Sequence, residues 1–237
     1  MAFGPDPRVA QGQVAVERVD EGLRAFMLQV YNYMGLGLAL TGVVAFLVAS
    51  TPALYQPIFG TPLKWVVMLA PLGFVFFLSF KIQSMSASAA QLTFWAFAAV
   101  MGLSLASIFL VFTGASIARV FFITAAMFGA MSLYGYTTKR DLSGWGSFLF
   151  MGLIGIIIAM LVNLFLQSAA LHFAVSVIGV LVFVGLTAYD TQQIKEMYYE
   201  LDASDVATKK AIMGALRLYL DFINMFIMLL HLFGQRE

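Results

Sequence analysis

Two aspartates lie in segments of the chain that are otherwise apolar. Asp190 ends an apolar stretch that begins at Phe173, and Asp221 lies inside another, from Leu218 to Phe233. An ionised carboxylate near the centre of a membrane helix costs roughly 2.5 kcal/mol or more, so such a residue usually faces a protein interior or a solvated pathway. Two of them on consecutive helices predict a functional site.

The chemistry of this predicted site depends on whether the two carboxyl groups meet. Asp190 is close to the end of its helix, and Asp221 is a few turns from the corresponding end of the next helix, so we expect both at similar depth. Neighbouring carboxylates resist simultaneous ionisation, and the pair can sense pH, relay protons or coordinate a hard cation. Calcium takes about six to eight oxygen ligands, so two carboxylates predict only transient binding. The alternative is an Asp190 that is simply solvated at its helix end.

A polar strip follows one face of the last apolar segment. At about 100° per residue, its members fall within a sector of about 80°. They are Arg217, Asp221, Asn224, Met228 and His231. A helix that is polar along one strip places it against protein or water, so Arg217, Asn224 and His231 are predicted to line a pathway. An ion pair between Arg217 and Asp221, one turn apart, is the alternative explanation.

Lys81 ends the second apolar segment, in the sequence FFLSFKIQSM. One interpretation is a lysine that anchors the helix end at the membrane surface. The other is a cation that pairs with Asp190 and latches the second helix against the sixth.

Composition places the chain in a membrane. Of its 237 residues, 62% are hydrophobic and 11% are charged, whereas soluble domains carry roughly 25% charged residues. The formal net charge of +1 gives no basic face for nucleic acid. The chain has no cysteine and two histidines, which excludes thiolate catalysis and argues against a His-rich metal site. We expect no cofactor.

Seven apolar windows are long enough to cross a bilayer, which takes about 20 residues. The sequence therefore predicts an all-α polytopic membrane protein. The chain divides into a cytosolic tail (1–24), a seven-helix domain (25–233) and a short carboxyl end (234–237), and we expect no cleavable signal peptide, since the tail lacks an apolar stretch. The sixth connection, 193–211, is long and highly charged. The predicted spans are 25–50, 63–82, 90–112, 115–136, 146–166, 170–192 and 212–233.

The distribution of lysine and arginine predicts the orientation. Ten of these residues lie in the tail and the even-numbered connections or in the span ends next to them, and three lie on the opposite side. Because positive residues concentrate on the cytoplasmic side, we expect the amino terminus inside and the carboxyl terminus outside.

Three segments resemble the Bax inhibitor-1 family of transmembrane proteins. They are AYDTQQIK (188–195), LYLDFINMF (218–226) and KRDLSGWGSFLFMGLIGI (139–156). The compact size and short tail look like those of bacterial members, which implies the bacterial inner membrane.

The resemblance implies a pH-sensitive calcium leak and no enzymatic activity. Asp190 and Asp221 would be the sensing pair beside the pore, calcium would be the transported ion, and the seventh span would be central to the bundle. The resemblance also implies that a basic residue at the position of Lys81 binds the first aspartate in the closed state. A lysine there lacks the bidentate fork of an arginine.

Three other functions are open to this sequence. Some bacterial members of the family restrain a membrane-anchored quality-control protease, and the 24-residue tail is the segment we expect to make such a contact. An intramembrane aspartyl protease would need a Gly-x-Gly-Asp motif, whereas residues 218–221 read Leu-Tyr-Leu-Asp. A proton-coupled transporter is disfavoured because no internal repeat is evident. The oligomeric state does not follow from the sequence.

Overall fold

The protein, in a computed structural model, is a bundle of α-helices. The structure describes the backbone of residues 7–236 and the side chains of residues 20–236. A single 3-10 turn, Ile82–Ser84, follows the third helix. The α-helices of this part of the chain are α1 (Pro7–Ala49), α2 (Pro52–Phe59), α3 (Leu63–Lys81), α4 (Ala87–Val111), α5 (Gly114–Thr137), α6 (Ser143–Leu166), α7 (Ala169–Glu196) and α8 (Ser204–Phe233).

Seven of these helices are long and apolar enough to cross a membrane. The spans are α1 from Asp20 onward, α3, and α4 to α8, so the predicted all-α polytopic class with seven spans is confirmed. The additional helix, α2, has eight residues and lies in the first connection. It starts at Pro52, where the missing proline N–H costs no hydrogen bond. A helix this short shows no periodicity in the sequence, so the prediction missed it.

The sixth connection is shorter than predicted. The non-helical residues are 197–203, instead of 193–211, because α7 continues to Glu196 and α8 begins at Ser204. Hydropathy marks the part of a helix that lies in lipid, whereas its backbone hydrogen bonds continue through polar turns. The connection folds back on α8 through Lys210, which forms a salt bridge with Asp202 at 2.5 Å and donates to the carbonyl of Met197 at 3.0 Å.

Hydroxyl side chains cap the starts of several spans. Ser86, Thr113 and Ser168 accept hydrogen bonds from the backbone N–H groups three residues further along. These bonds satisfy donors that have no partner inside the helix. At the end of α6, Gln167 adopts a left-handed conformation with φ 49°, which turns the chain at once into α7.

α8 is the most buried of the seven spans. In its most apolar stretch 72% of the residues are buried, compared with 39% or less in the others. It packs against α1, α3, α4, α5 and α7. Two glycines let α7 and α8 approach each other, since a Cβ on Gly179 would meet Met228 and one on Gly214 would meet Ile194. α6 is the least buried, at 11%, and packs mainly against α7.

Both predicted terminal segments adjoin ordered helices. α1 begins at Pro7, so part of the predicted tail continues the first span, while the side chains of residues 1–19 and their predicted protein contact lie outside the described residues. At the other end, the Gln235 N–H donates to Ser116 Oγ at 2.9 Å, and the Thr113 N–H donates to the Gln235 carbonyl at 3.0 Å. The carboxyl end is thereby held on the α4–α5 connection; Glu237 is outside the described residues.

Candidate di-aspartyl site

The structure brings Asp190 and Asp221 together. Asp190 lies near the carboxyl end of α7, Asp221 lies in the middle of α8, and their side chains are within hydrogen-bonding range. Asp221 is only 4% exposed, while Asp190 is half-buried. α7 and α8 pack closely at Gly179 and again at Gly214, and the two aspartates lie between these points. This packing holds their carboxyl groups at the same depth along the helices.

The pair lacks a donor for one buried oxygen. Oδ2 of Asp221 is buried and has no hydrogen-bond partner among the side chains and backbone of the described residues. Ionised carboxylates only accept hydrogen bonds, so two of them in contact cannot satisfy each other. A proton on either carboxyl group turns the contact into a hydrogen bond. The geometry therefore suits a pair that holds one proton between Asp190 and Asp221.

Arg217 supplies the nearest positive charge. It lies one turn before Asp221 on α8, and its charge acts on both carboxyl groups. Its side chain is exposed. Within residues 20–236 the one salt bridge joins Lys210 and Asp202, so Arg217 and Asp221 do not form the direct ion pair that was the alternative explanation of the polar strip. The positive charge of Arg217 therefore lies near the pair without forming a salt bridge with either carboxyl group.

The other residues of the polar strip differ in burial and in their distance from the pair. Asn224 is half-buried and donates to the carbonyl of Leu220 on its own helix, at 2.8 Å. Met228 is buried against Gly179. His231 is exposed near the end of α8, and its ring centroid lies 4.7 Å from that of His172. His231 is ten residues beyond Asp221, about 15 Å along the helix, so the structure does not bring it to the pair.

Lys81 does not contact Asp190 in this conformation. It is exposed at the end of α3 and forms no salt bridge in the described part of the chain. Its role as a latch stays a prediction for a state in which Asp190 is ionised.

The site does not form a metal cage. Residues 20–236 contain no group of three or more His, Cys, Asp or Glu side chains that could hold a metal ion. Two carboxyl groups supply fewer oxygens than calcium takes.

Buried hydroxyl networks were not predicted from the sequence. Thr41 Oγ1 on α1 lies 2.6 Å from the Tyr219 hydroxyl on α8 and donates to the carbonyl of Ala98 on α4 at 2.8 Å. Tyr219 is fully buried. The bonds join α1 and α4 to α8, two residues before Asp221. A lone threonine in an apolar segment gives no sequence signal for its partner.

A second network joins α1, α5 and α7. The Tyr31 hydroxyl lies 2.6 Å from Ser132 Oγ, which lies 3.0 Å from Thr191 Oγ1. Thr191 follows Asp190 and donates to the carbonyl of Thr187 at 2.7 Å. The helix segment that carries Asp190 is therefore anchored to two further spans.

Comparison with known proteins identifies the family. Residues 23–237 match the family model described as inhibitor of apoptosis-promoting Bax1. The chain belongs to the Bax inhibitor-1 family. The resemblance of its aspartate-bearing segments to this family is thereby confirmed, and so is the assignment to the membrane.

Its relatives in the Bax inhibitor-1 family include bacterial proteins of similar length. An uncharacterized protein, RP147, from Rickettsia prowazekii is 52% identical over 218 residues, which cover 92% of each chain. The inner membrane protein YbhL from Escherichia coli is 53% identical over 219 residues, covering 91% of this chain and 94% of the relative. An uncharacterized protein from Borreliella burgdorferi is 41% identical over 214 residues. The chain is an integral membrane protein, as expected of this family.

Proposed function

We propose that the protein is a pH-sensitive calcium leak of the bacterial inner membrane, gated by protonation of Asp190 and Asp221. The observation that carries the proposal is the contact of these two carboxyl groups deep between α7 and α8, with one oxygen of Asp221 lacking a donor. Membership of the family and the inner-membrane relative from Escherichia coli support the location. The orientation follows from the lysine and arginine count, with the amino terminus in the cytoplasm.

Asp221 is buried in the described conformation. A side chain that is 4% exposed has almost no access to water or ions. A cation that moves along α8 must therefore separate the two helices or displace groups beside the pair. When both carboxyl groups are ionised they repel each other, and a nearby cation gains two charged ligands.

Acidification has two opposed effects. In the mechanism we favour, Lys81 approaches Asp190 when that carboxyl group is ionised and seals the second span against the sixth. Protonation of Asp190 removes the negative charge that attracts Lys81 and releases the second span, so the leak rises as the pH falls. Because a protonated carboxyl group is a poor calcium ligand, the flux should level off or fall at lower pH.

Calcium flux into dye-loaded proteoliposomes between pH 6 and 8 tests the proposal. The informative variant is Asp221→Asn, because asparagine keeps the shape, donates to Asp190 and cannot titrate. We expect flux that depends on pH in the wild type and loses this dependence in Asp221→Asn and Asp190→Asn. Asp205→Asn is the matched control, since this aspartate is exposed in the first turn of the same helix.

Two results would contradict the proposal. One is an unchanged pH profile in both dyad variants. The other is the lack of any calcium flux from correctly folded protein, which would favour the second candidate function.

The second candidate is regulation of a membrane-anchored quality-control protease. The observation in its favour is that α1 runs unbroken from Pro7 to Ala49, longer than its apolar span, and so presents a helical extension to a partner. Deleting residues 1–19 should abolish an effect on protease activity and leave calcium flux intact. If the same deletion abolished calcium flux, the helical extension would instead be needed for the ion pathway.

A further inference from the structure

A groove opens towards the membrane between α5, α6 and α7. It encloses about 590 Å³, within the range of small-molecule sites in proteins. The groove exists because α6 packs mainly against α7. Its walls are apolar, and among the lining residues are Met131, Phe148, Ile178, Leu181 and Val182. Such a surface suits acyl chains.

One end of the groove is charged. Arg140 and Asp141 line it, and Lys139 is their exposed neighbour. Neither cation forms a salt bridge among residues 20–236. Asp141 accepts a hydrogen bond from the Ser143 N–H at 2.8 Å, so its carboxylate faces the start of α6. With two cations and one carboxylate, the mouth carries a net charge of +1.

The charged mouth is fixed to α7 by one side chain. Gln192 donates to the carbonyl of Arg140 at 2.9 Å and accepts from the Leu142 N–H at 2.8 Å. Gln192 is only 6% exposed. The backbone that carries Arg140 is therefore held beside the groove, which orders the mouth before any ligand arrives.

Trp145 sits at the same mouth. It lines the groove in the first turn of α6 and is 62% exposed. Tryptophans are enriched at the level of lipid headgroups, which places the mouth at the membrane surface and the apolar walls among the acyl chains.

We propose that this groove binds an anionic glycerophospholipid, with its phosphate at Arg140 and Lys139 and an acyl chain along the apolar walls. Basic pockets between transmembrane helices are a known arrangement for anionic headgroups. A zwitterionic lipid carries an ammonium that these cations repel, so charge selects the headgroup. The floor of the groove includes Ala188 and Tyr189, so the lipid contacts the segment of α7 just before Asp190. The proposal does not depend on calcium transport.

Quenching of Trp145 by brominated lipids tests the site. The chain has three tryptophans, so Trp65→Phe with Trp95→Phe leaves Trp145 as the reporter. The full chain, purified in detergent, is titrated with phosphatidylglycerol or phosphatidylcholine brominated on the acyl chain. We expect phosphatidylglycerol to quench Trp145 at lower concentration. Arg140→Gln should reduce this preference roughly fivefold, the effect of one basic residue near an anionic surface.

Two further variants make the outcome decisive. Arg140→Lys retains the charge and should retain most of the preference. Arg119→Gln removes an exposed arginine at the opposite end of α5 and should leave the preference unchanged. Equal quenching by the two lipids would overturn the proposal, as would an undiminished preference in Arg140→Gln.

Discussion

The ammonium of Lys209 on α8 donates a hydrogen bond to the backbone carbonyl of Gln83, at 3.3 Å. It also donates to the carbonyl of Met85 at 3.3 Å. Both acceptors belong to the turn that follows α3, where carbonyl groups lack helical donors. The cation that ties the end of the second span to the bundle in this conformation is therefore Lys209, whereas Lys81, the predicted latch, forms no salt bridge among residues 20–236.

Replacing Lys209 by glutamine should loosen the end of the second span. Loss of a partly exposed charged hydrogen bond costs about 0.5–1.5 kcal/mol, so local opening should increase roughly twofold to tenfold. The chain has no cysteine, so Ser84→Cys gives a single thiol whose labelling rate reports the opening. Lys81→Gln is the matched control and should leave the rate unchanged. Equal acceleration by both would show that surface charge alone holds the turn.

The bond between Thr41 and Tyr219 should appear in a double-mutant cycle. Hydrogen bonds between membrane helices contribute about 0.6 kcal/mol on average and about 1.7 at most. Because Tyr219 is fully buried, we expect a coupling of about 1 kcal/mol between Thr41→Val and Tyr219→Phe, measured as free energies of unfolding in mixed micelles. Strictly additive effects would mean that the two hydroxyl groups do not interact.

Gly135 should not tolerate a side chain. A Cβ there would collide with the backbone carbonyl of Ala188, two residues before Asp190, and backbone cannot rotate away as a side chain can. Gly135→Ala should therefore destabilise the protein by about 1–3 kcal/mol. Gly129→Ala on the same helix is the control, because a Cβ at Gly129 meets nothing within 4 Å. Thermal unfolding in detergent separates the two; equal stability of both variants would contradict this packing.

Gln192→Leu should destabilise the α5–α6 connection. The change leaves the carbonyl of Arg140 and the N–H of Leu142 without the partner that the structure shows. An unsatisfied buried polar group costs about 1–3 kcal/mol. Gln193→Leu is the control, because Gln193 bonds only the exposed Glu196. The temperature of thermal unfolding should fall clearly in Gln192→Leu alone. A similar fall in both variants would mean that the loss of any polar side chain on α7 has this effect.

Asp141 should not contribute to pH dependence near neutrality. Hydrogen bonds from Ser143 hold the pKa of Asp141 below its usual 3.8. A lowered pKa means that its contribution to stability is present above the unfolded value and is lost only as the pH falls through the lower, folded value. Asp141→Asn should thus leave the flux profile between pH 6 and 8 unchanged. A shifted profile would place a proton-sensitive group in the connection instead of the aspartate pair.

The sequence alone determined the class of the protein and the identity of its unusual residues. Runs of apolar residues long enough for a bilayer predicted seven spans, because lipid requires every backbone group to bond within its own helix. The cost of a charge in lipid singled out Asp190 and Asp221, and both lie where two helices meet.

Only the tertiary structure decided which polar groups are partners. Lys209 rather than Lys81 holds the turn after α3, Gln192 binds the α5–α6 connection, and Thr41 contacts Tyr219. These contacts depend on the rotation and offset of helices that are far apart in the chain. Apolar faces pack in many registers of similar hydrophobicity, so the pattern of one helix does not define its neighbour's position. Close approach at glycines such as Gly179 and Gly214 selects one register, and that register brings the two aspartates together.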